Sequence, residues 1–165
     1  MPSVAQAPSP DSILIGEFGE IQLFLGMPKD SALGALRENF DVVDEPTGEV
    51  AIISKGSVAA GKVGVQYGWV SFKGASLASV TKVWAINGDD KGSVVRAIRG
   101  AMSSFGASAR ACSVKTFYHQ EPTTEKSGVE ISCGKRHVQI LTVRLTSATG
   151  SREDVAVNEV LGSEP

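Results

Sequence analysis

Cys112, His119, Cys133 and His137 are every cysteine and histidine in this 165-residue chain, and they are the side chains best suited to ligate a metal or act as a nucleophile and base. Zinc needs four ligands converging tetrahedrally, commonly supplied by close pairs such as C-x-x-C. Cys112 and His119 are an odd number of positions apart, so on one regular strand they point to opposite faces. A cysteine–histidine catalytic pair would need a third group orienting the base, and no acid or Asn stands at a recognisable spacing. The pattern therefore implies no metal site and leaves the cysteines as strand residues or as a disulfide. A hairpin closing around Pro122-Thr123 makes residue n face residue 245 − n, which sets Cys112 opposite Cys133. Cross-strand Cβ atoms lie about 4.5–5.5 Å apart, close enough for a disulfide after local adjustment. The alternative is two buried free thiols, the state a cytosolic chain would favour.

Two other stretches invite a chemical reading. Residues 56–63 read GSVAAGKV, near the phosphate-binding pattern G-x-x-x-x-G-K-[ST]. Val63 replaces the hydroxyl that would meet magnesium, and a strand rather than a helix follows, so this is a linker loop. The second stretch is an aromatic hairpin. Residues 63–72 and 77–86 alternate as strands joined by Lys73-Gly74-Ala75-Ser76. A four-residue turn makes n face 149 − n, so Val65, Tyr67 and Trp69 share one face with Val80, Lys82 and Trp84. Tyr67, Trp69, Lys82 and Trp84 form a candidate binding surface, because buried aromatic anchors dominate protein interfaces. The competing reading makes these aromatics core, and a one-residue change in the turn would swap the partners' faces.

The element that organises the chain lies upstream, in residues 21–40, IQLFLGMPKDSALGALRENF. Ile21, Leu23 and Leu25 share a parity, as in a strand with one buried face. After a Gly-Met-Pro corner, Pro28 suits a first helical position and Asp30 the first turn of the helix dipole. Leu33, Leu36 and Phe40 then form one helical stripe. A second helix is expected after Asn87-Gly88-Asp89-Asp90, with Val94, Val95, Ile98, Ala101, Met102 and Phe105 inward and Gly106 as its stop. Residues 112–118, 128–133 and 137–145 read as a three-stranded meander, and 152–161 as a short helix in a polar end. KDSALGALR at 29–37 and KGSVVRAIR at 91–99 match in kind, and strands follow both. The expected fold is α+β: two helices on largely antiparallel sheet, as a tandem helix-plus-sheet pseudo-repeat. Its parts are a tail at 1–12, units at 13–88 and 89–146, and a polar C-terminal tail at 147–165.

Composition is that of a globular protein, 42% hydrophobic and 21% charged with a net charge of −2. No apolar run reaches the roughly 18 residues of a membrane helix. Charge is uneven: residues 1–50 hold nine acids against Lys29 and Arg37, net −7, while residues 91–152 hold ten Lys/Arg against three Glu, net +7. That asymmetry reads as solvated faces of both signs or as a basic half meeting an acidic partner. The basic residues are scattered without a nucleic-acid-binding motif, so nucleic acid is not the expected partner. Ala5-Gln6-Ala7 before a proline-rich stretch has the look of the end of a secretory leader, or of a simple tail.

The corner LFLGMPKDSALGAL, through Gly26, Met27 and the helix after them, resembles the Gly-Met helix start of the small outer-membrane-assembly lipoproteins and of the β-lactamase-inhibitor-protein-like family. Pro28 stands where that family usually has Ser or Thr, and Asn87-Gly88 stands where a second Gly-Met would. The resemblance implies helices on four-stranded antiparallel sheets, an envelope or extracellular setting and no enzymatic activity. The expected function is a non-enzymatic, secreted or periplasmic protein-binding module, inhibitor-like or envelope-assembly in kind, with no cofactor. The alternative is a small-ligand or lipid-binding pocket between helix and sheet.

Overall fold

The computed structural model describes residues 15–84, 86, 91–103, 105 and 112–162. The tail at 1–12, the turn at 87–90 and Gly106 lie outside the described residues. The chain runs β1 (Ile15–Phe18), β2 (Ile21–Phe24), α1 (Lys29–Asn39), β3 (Phe40–Asp44), β4 (Val50–Ser54), β5 (Gln66–Lys73) and β6 (Ser76–Trp84). It continues through α2 (Lys91–Ser103), β7 (Cys112–Gln120), β8 (Thr124–Cys133), β9 (Arg136–Ser147) and β10 (Gly150–Gly162). β1 and β2 form a separate hairpin, and the other eight strands form one sheet in the order β3-β4-β5-β6-β10-β9-β8-β7. Every pairing in it is antiparallel.

The expected α+β class is overturned. Strand accounts for 59% and helix for 17%, so this is a mostly β protein built on a large antiparallel sheet. The physical reason lies at the C-terminus. Residues 147–165, expected as a polar tail with a short helix, contribute a 13-residue strand. That strand pairs with β9 on one side and β6 on the other, so the four strands after α1 and the four after α2 join in one continuous sheet.

Apolar residues gather in two clusters on the same side of the sheet. The first holds Ala32, Leu33 and Leu36 of α1, Phe18 and Leu23 of the hairpin, and Ile52, Val70, Val80 and Leu161 of the sheet. The second holds Ala97 and Ala101 of α2 with Phe105, Val138 and Val157, and Trp84 and Ile140 pack against it. Gly100 lets α2 approach closely, since a Cβ there would lie 2.4 Å from the Trp84 ring. Pro28 takes the N-cap position rather than the first helical one, and Phe40 begins β3 instead of ending α1. Val95, expected inward, is 57% exposed.

The hairpin β7–β8 has the register the sequence implies. All nine residue pairs sum to 245, and Cys112 faces Cys133. The two are joined in a disulfide.

Asp41 ties the loop after β4 to β3. Its carboxylate accepts the Val58 N–H at 3.0 Å, and that bond is the first cause holding its pKa below the ordinary 3.8, with Lys55 nearby adding to it. A carboxyl with a depressed folded pKa contributes stability above its unfolded value and loses it as pH falls through the folded one. The protection factor of the Val58 amide should therefore fall below about pH 3.8 while those of strand amides hold, and Asp41→Asn should show the lower protection at neutral pH. A Val58 amide insensitive to both changes would mean that the loop holds itself.

Candidate functional site

Parity along β5 and β6 decides which of the four expected binding residues can act together. Near the turn the register is the one the sequence implies, with Lys73 opposite Ser76 and Phe72 opposite Leu77. Ser71 then faces Ser79, which leaves Ala78 as an extra residue, and beyond it Trp69 faces Thr81 and Gly68 faces Lys82. A bulge of this kind shifts every later side chain to the other face of its partner strand. Trp69 and Trp84 therefore lie on opposite faces.

Trp84 and Lys82 belong to the helix-covered face. The Lys82 Nζ sits 4.3 Å from the centroid of the Trp84 ring, and the Trp84 indole N–H donates to Glu159 Oε2 at 3.3 Å. Trp84 packs against the α2 cluster, partly buried there. Tyr67 sits beside a second irregularity, where the β4–β5 register slips between Ile52 and Ile53. Its ring packs on Phe40 with centroids 5.2 Å apart, at the rim of the α1 cluster, and it remains 39% exposed. Gly68 beside it is required: a Cβ there would meet the Thr81 carbonyl oxygen at 1.9 Å.

Trp69 alone of the four stands on the other face. Both helices and the β1–β2 hairpin pack on the first face, and among the described residues no helix covers the second. Part-buried Trp69 has Ala51 and Thr81 as its cross-strand neighbours, and Val160 and His137 continue the row across β10 and β9. Farther along this face lies a polar group that the sequence reading missed. Glu130 is 3% exposed; its carboxylate accepts from Ser132 at 3.1 Å and Gln139 at 2.9 Å and pairs with Lys115 at 2.9 Å. His137 Nδ1 lies 2.9 Å from the Ser132 hydroxyl and 3.9 Å from Glu130. The signal was present in the tight turn at Gly134-Lys135: a two-residue loop there sets Glu130 opposite Gln139 and Ser132 opposite His137, the pairs observed.

The histidines and cysteines do not converge. The cysteines are bridged, and the His119 imidazole meets Glu121 at 3.1 Å on β7's exposed end, apart from His137. Among the described residues no cluster of His, Cys, Asp or Glu could hold a metal ion. No described helix is long and apolar enough to cross a membrane.

A groove of about 570 Å³ opens at one end of the sheet, lined by Leu25, Leu77 and Ala78 together with Lys73, Lys135 and His137. It lies between the β5–β6 and β8–β9 turns rather than between helix and sheet.

No protein-family model, curated protein or solved structure matches the chain.

Proposed function

We propose that this is a non-enzymatic protein-binding module acting in an oxidising compartment, secreted or periplasmic, and that it engages its partner through the sheet face bearing Trp69. One observation carries the reading: an eight-stranded antiparallel sheet has both helices on one face and a part-buried tryptophan on the other. A tryptophan beside Thr81, on the same sheet face as the polar group around Glu130, fits an interface anchor on a polar face. The disulfide supports the compartment, since such bonds persist where thiols are not continually reduced. The resemblance of the Gly26-Met27 corner to a non-enzymatic envelope family agrees with the same reading. The candidate nucleophiles and bases are engaged in structural contacts, which supports binding over catalysis.

Trp69→Ala tests this reading. Truncating an interface anchor typically costs roughly 2 kcal/mol or more of binding, about thirtyfold in affinity. A partner captured from an envelope extract or culture medium by the native protein should be lost to Trp69→Ala, while Trp84→Ala should cost folding stability first. Equal recovery by Trp69→Ala would end the assignment of this face.

The groove favours a second reading, a small amphiphilic anion whose chain lies on Leu25 and Ala78 and whose head meets Lys73 and Lys135. Saturable stabilisation by fatty acids, abolished in Lys73→Ala/Lys135→Ala, would support it over a protein partner.

A further inference from the structure

The two edges of the large sheet are built differently. β3 is five residues long, carries Asp41 and Asp44, and has α1 directly before it and Lys55 donating to the Phe40 carbonyl at 3.3 Å. Short, charged, overlaid strands are the usual protection of an edge. β7 carries Lys115 and His119 but is neither short nor overlaid by a described helix. It runs nine residues with no proline and no bulge against β8, and among the described residues nothing pairs with its outer side. Val114 and Tyr118 stand on it 66% and 62% exposed.

We propose that β7 pairs antiparallel with β7 of a second copy of this chain, about a two-fold axis passing through Thr116, to form a continuous sheet of two copies. The register follows from the sequence of the strand, CSVKTFYHQ. A two-fold axis normal to the sheet keeps each face with itself, so paired residues must share parity and the axis must pass through a residue. An axis at Lys115 would set two ammonium groups against each other, and one at Phe117 would set Lys115 against His119. Axes at Val114 or Tyr118 would leave half the strand unpaired. The axis at Thr116 pairs all nine residues and opposes no two basic side chains. It places Val114 against Tyr118 twice, a β-branched–aromatic pair of the kind that stabilises sheets, and Lys115 against Phe117. Both Trp69 faces would then look the same way, so the dimer would present its partner surface twice.

An edge pairing buries less than the roughly 1,200 Å² of stable complexes, so the association is weak and concentration-dependent. Sedimentation velocity on the intact protein, from low to high micromolar, should show mass rising from 17.2 kDa toward twice that value. Val114→Lys or Tyr118→Glu alone should weaken dimerisation about tenfold or more, since each loses both copies of an apolar pair. Val114→Lys/Tyr118→Glu together should restore it, because opposite charges then meet at both ends, and that rescue should fade with added salt. Unchanged circular dichroism and melting temperature in each variant would show that the fold is kept. A protein that stays monomeric throughout overturns the proposal. So does a dimer indifferent to the single substitutions, or one that the double variant fails to rescue. Pairing of β7 with an extended segment of an unrelated protein in place of a second copy also overturns it.

Discussion

Reduction of the Cys112–Cys133 bridge should lower the stability of this protein by about 3 kcal/mol, the loop-closure value for a bridge spanning 21 residues. The loss should exceed what a single edge strand's contacts suggest, because the bridge constrains the unfolded chain. It should also be uneven. Among the described residues β7 pairs with β8 alone, so once the bridge is open nothing there holds its outer side, and β7 should fray before the rest of the sheet. Cys133 also packs against the α2 cluster, so a serine there adds a small cost of its own. Urea unfolding of the oxidised protein, the reduced protein and the Cys112→Ser/Cys133→Ser variant separates these terms. The reduced protein and the variant should agree within about 1 kcal/mol, and amide exchange in both should rise first along β7. A midpoint unmoved by reductant would mean that the bridge only decorates a hairpin already held by its ladder.

The register behind that prediction was legible because nothing interrupts it: from Cys112 to Cys133 the two strands pair without a slip, so one turn position determines nine pairs. The corner at Gly26-Met27 and the helix after it were legible for a similar reason, since Leu33 and Leu36 repeat at helical spacing and both are buried. The central hairpin was legible only as far as Phe72 and Leu77. Ala78 adds one residue, and an alanine in a run of small residues carries no mark of a bulge. That single residue moved Lys82 and Trp84 to the helix side and left Trp69 without them. β10 was missed for a different reason. Its first half, through Val155, is exposed and reads as polar coil. Its second half is buried on both faces, Val157 and Leu161 toward the helices and Val160 away from them, so the period-two pattern of a half-buried strand never develops. A charged residue inside that half, Glu159, made it look still less like a central strand.

Glu159→Ala should cost about 3 kcal/mol, and the reason is what lies around that carboxylate. Glu159 sits on the helix-covered face of β10, between Val157 of the α2 cluster and Leu161 of the α1 cluster, with Lys82 and Val138 as cross-strand neighbours. Its side chain is 11% exposed, it pairs with the Arg136 guanidinium, itself 14% exposed, and it accepts the Trp84 indole N–H. Removing one member of a largely buried pair leaves the other charge desolvated, typically at a cost of 3–5 kcal/mol. The low end applies here, since neither side chain is fully enclosed. Two cations, Lys82 and Arg136, would then flank a position with no anion between them. Replacing both members by apolar residues of similar volume removes the charge along with its partner, and such exchanges are often neutral or stabilising. Glu159→Leu/Arg136→Met should accordingly recover most of what Glu159→Ala loses, with the Trp84 indole N–H as the remaining deficit. Urea unfolding of the native protein, Glu159→Ala, Arg136→Met and the double variant gives the coupling directly. A Glu159→Ala variant within about 1 kcal/mol of the native protein would show that water reaches this site freely and that the two clusters need no ionic link between them.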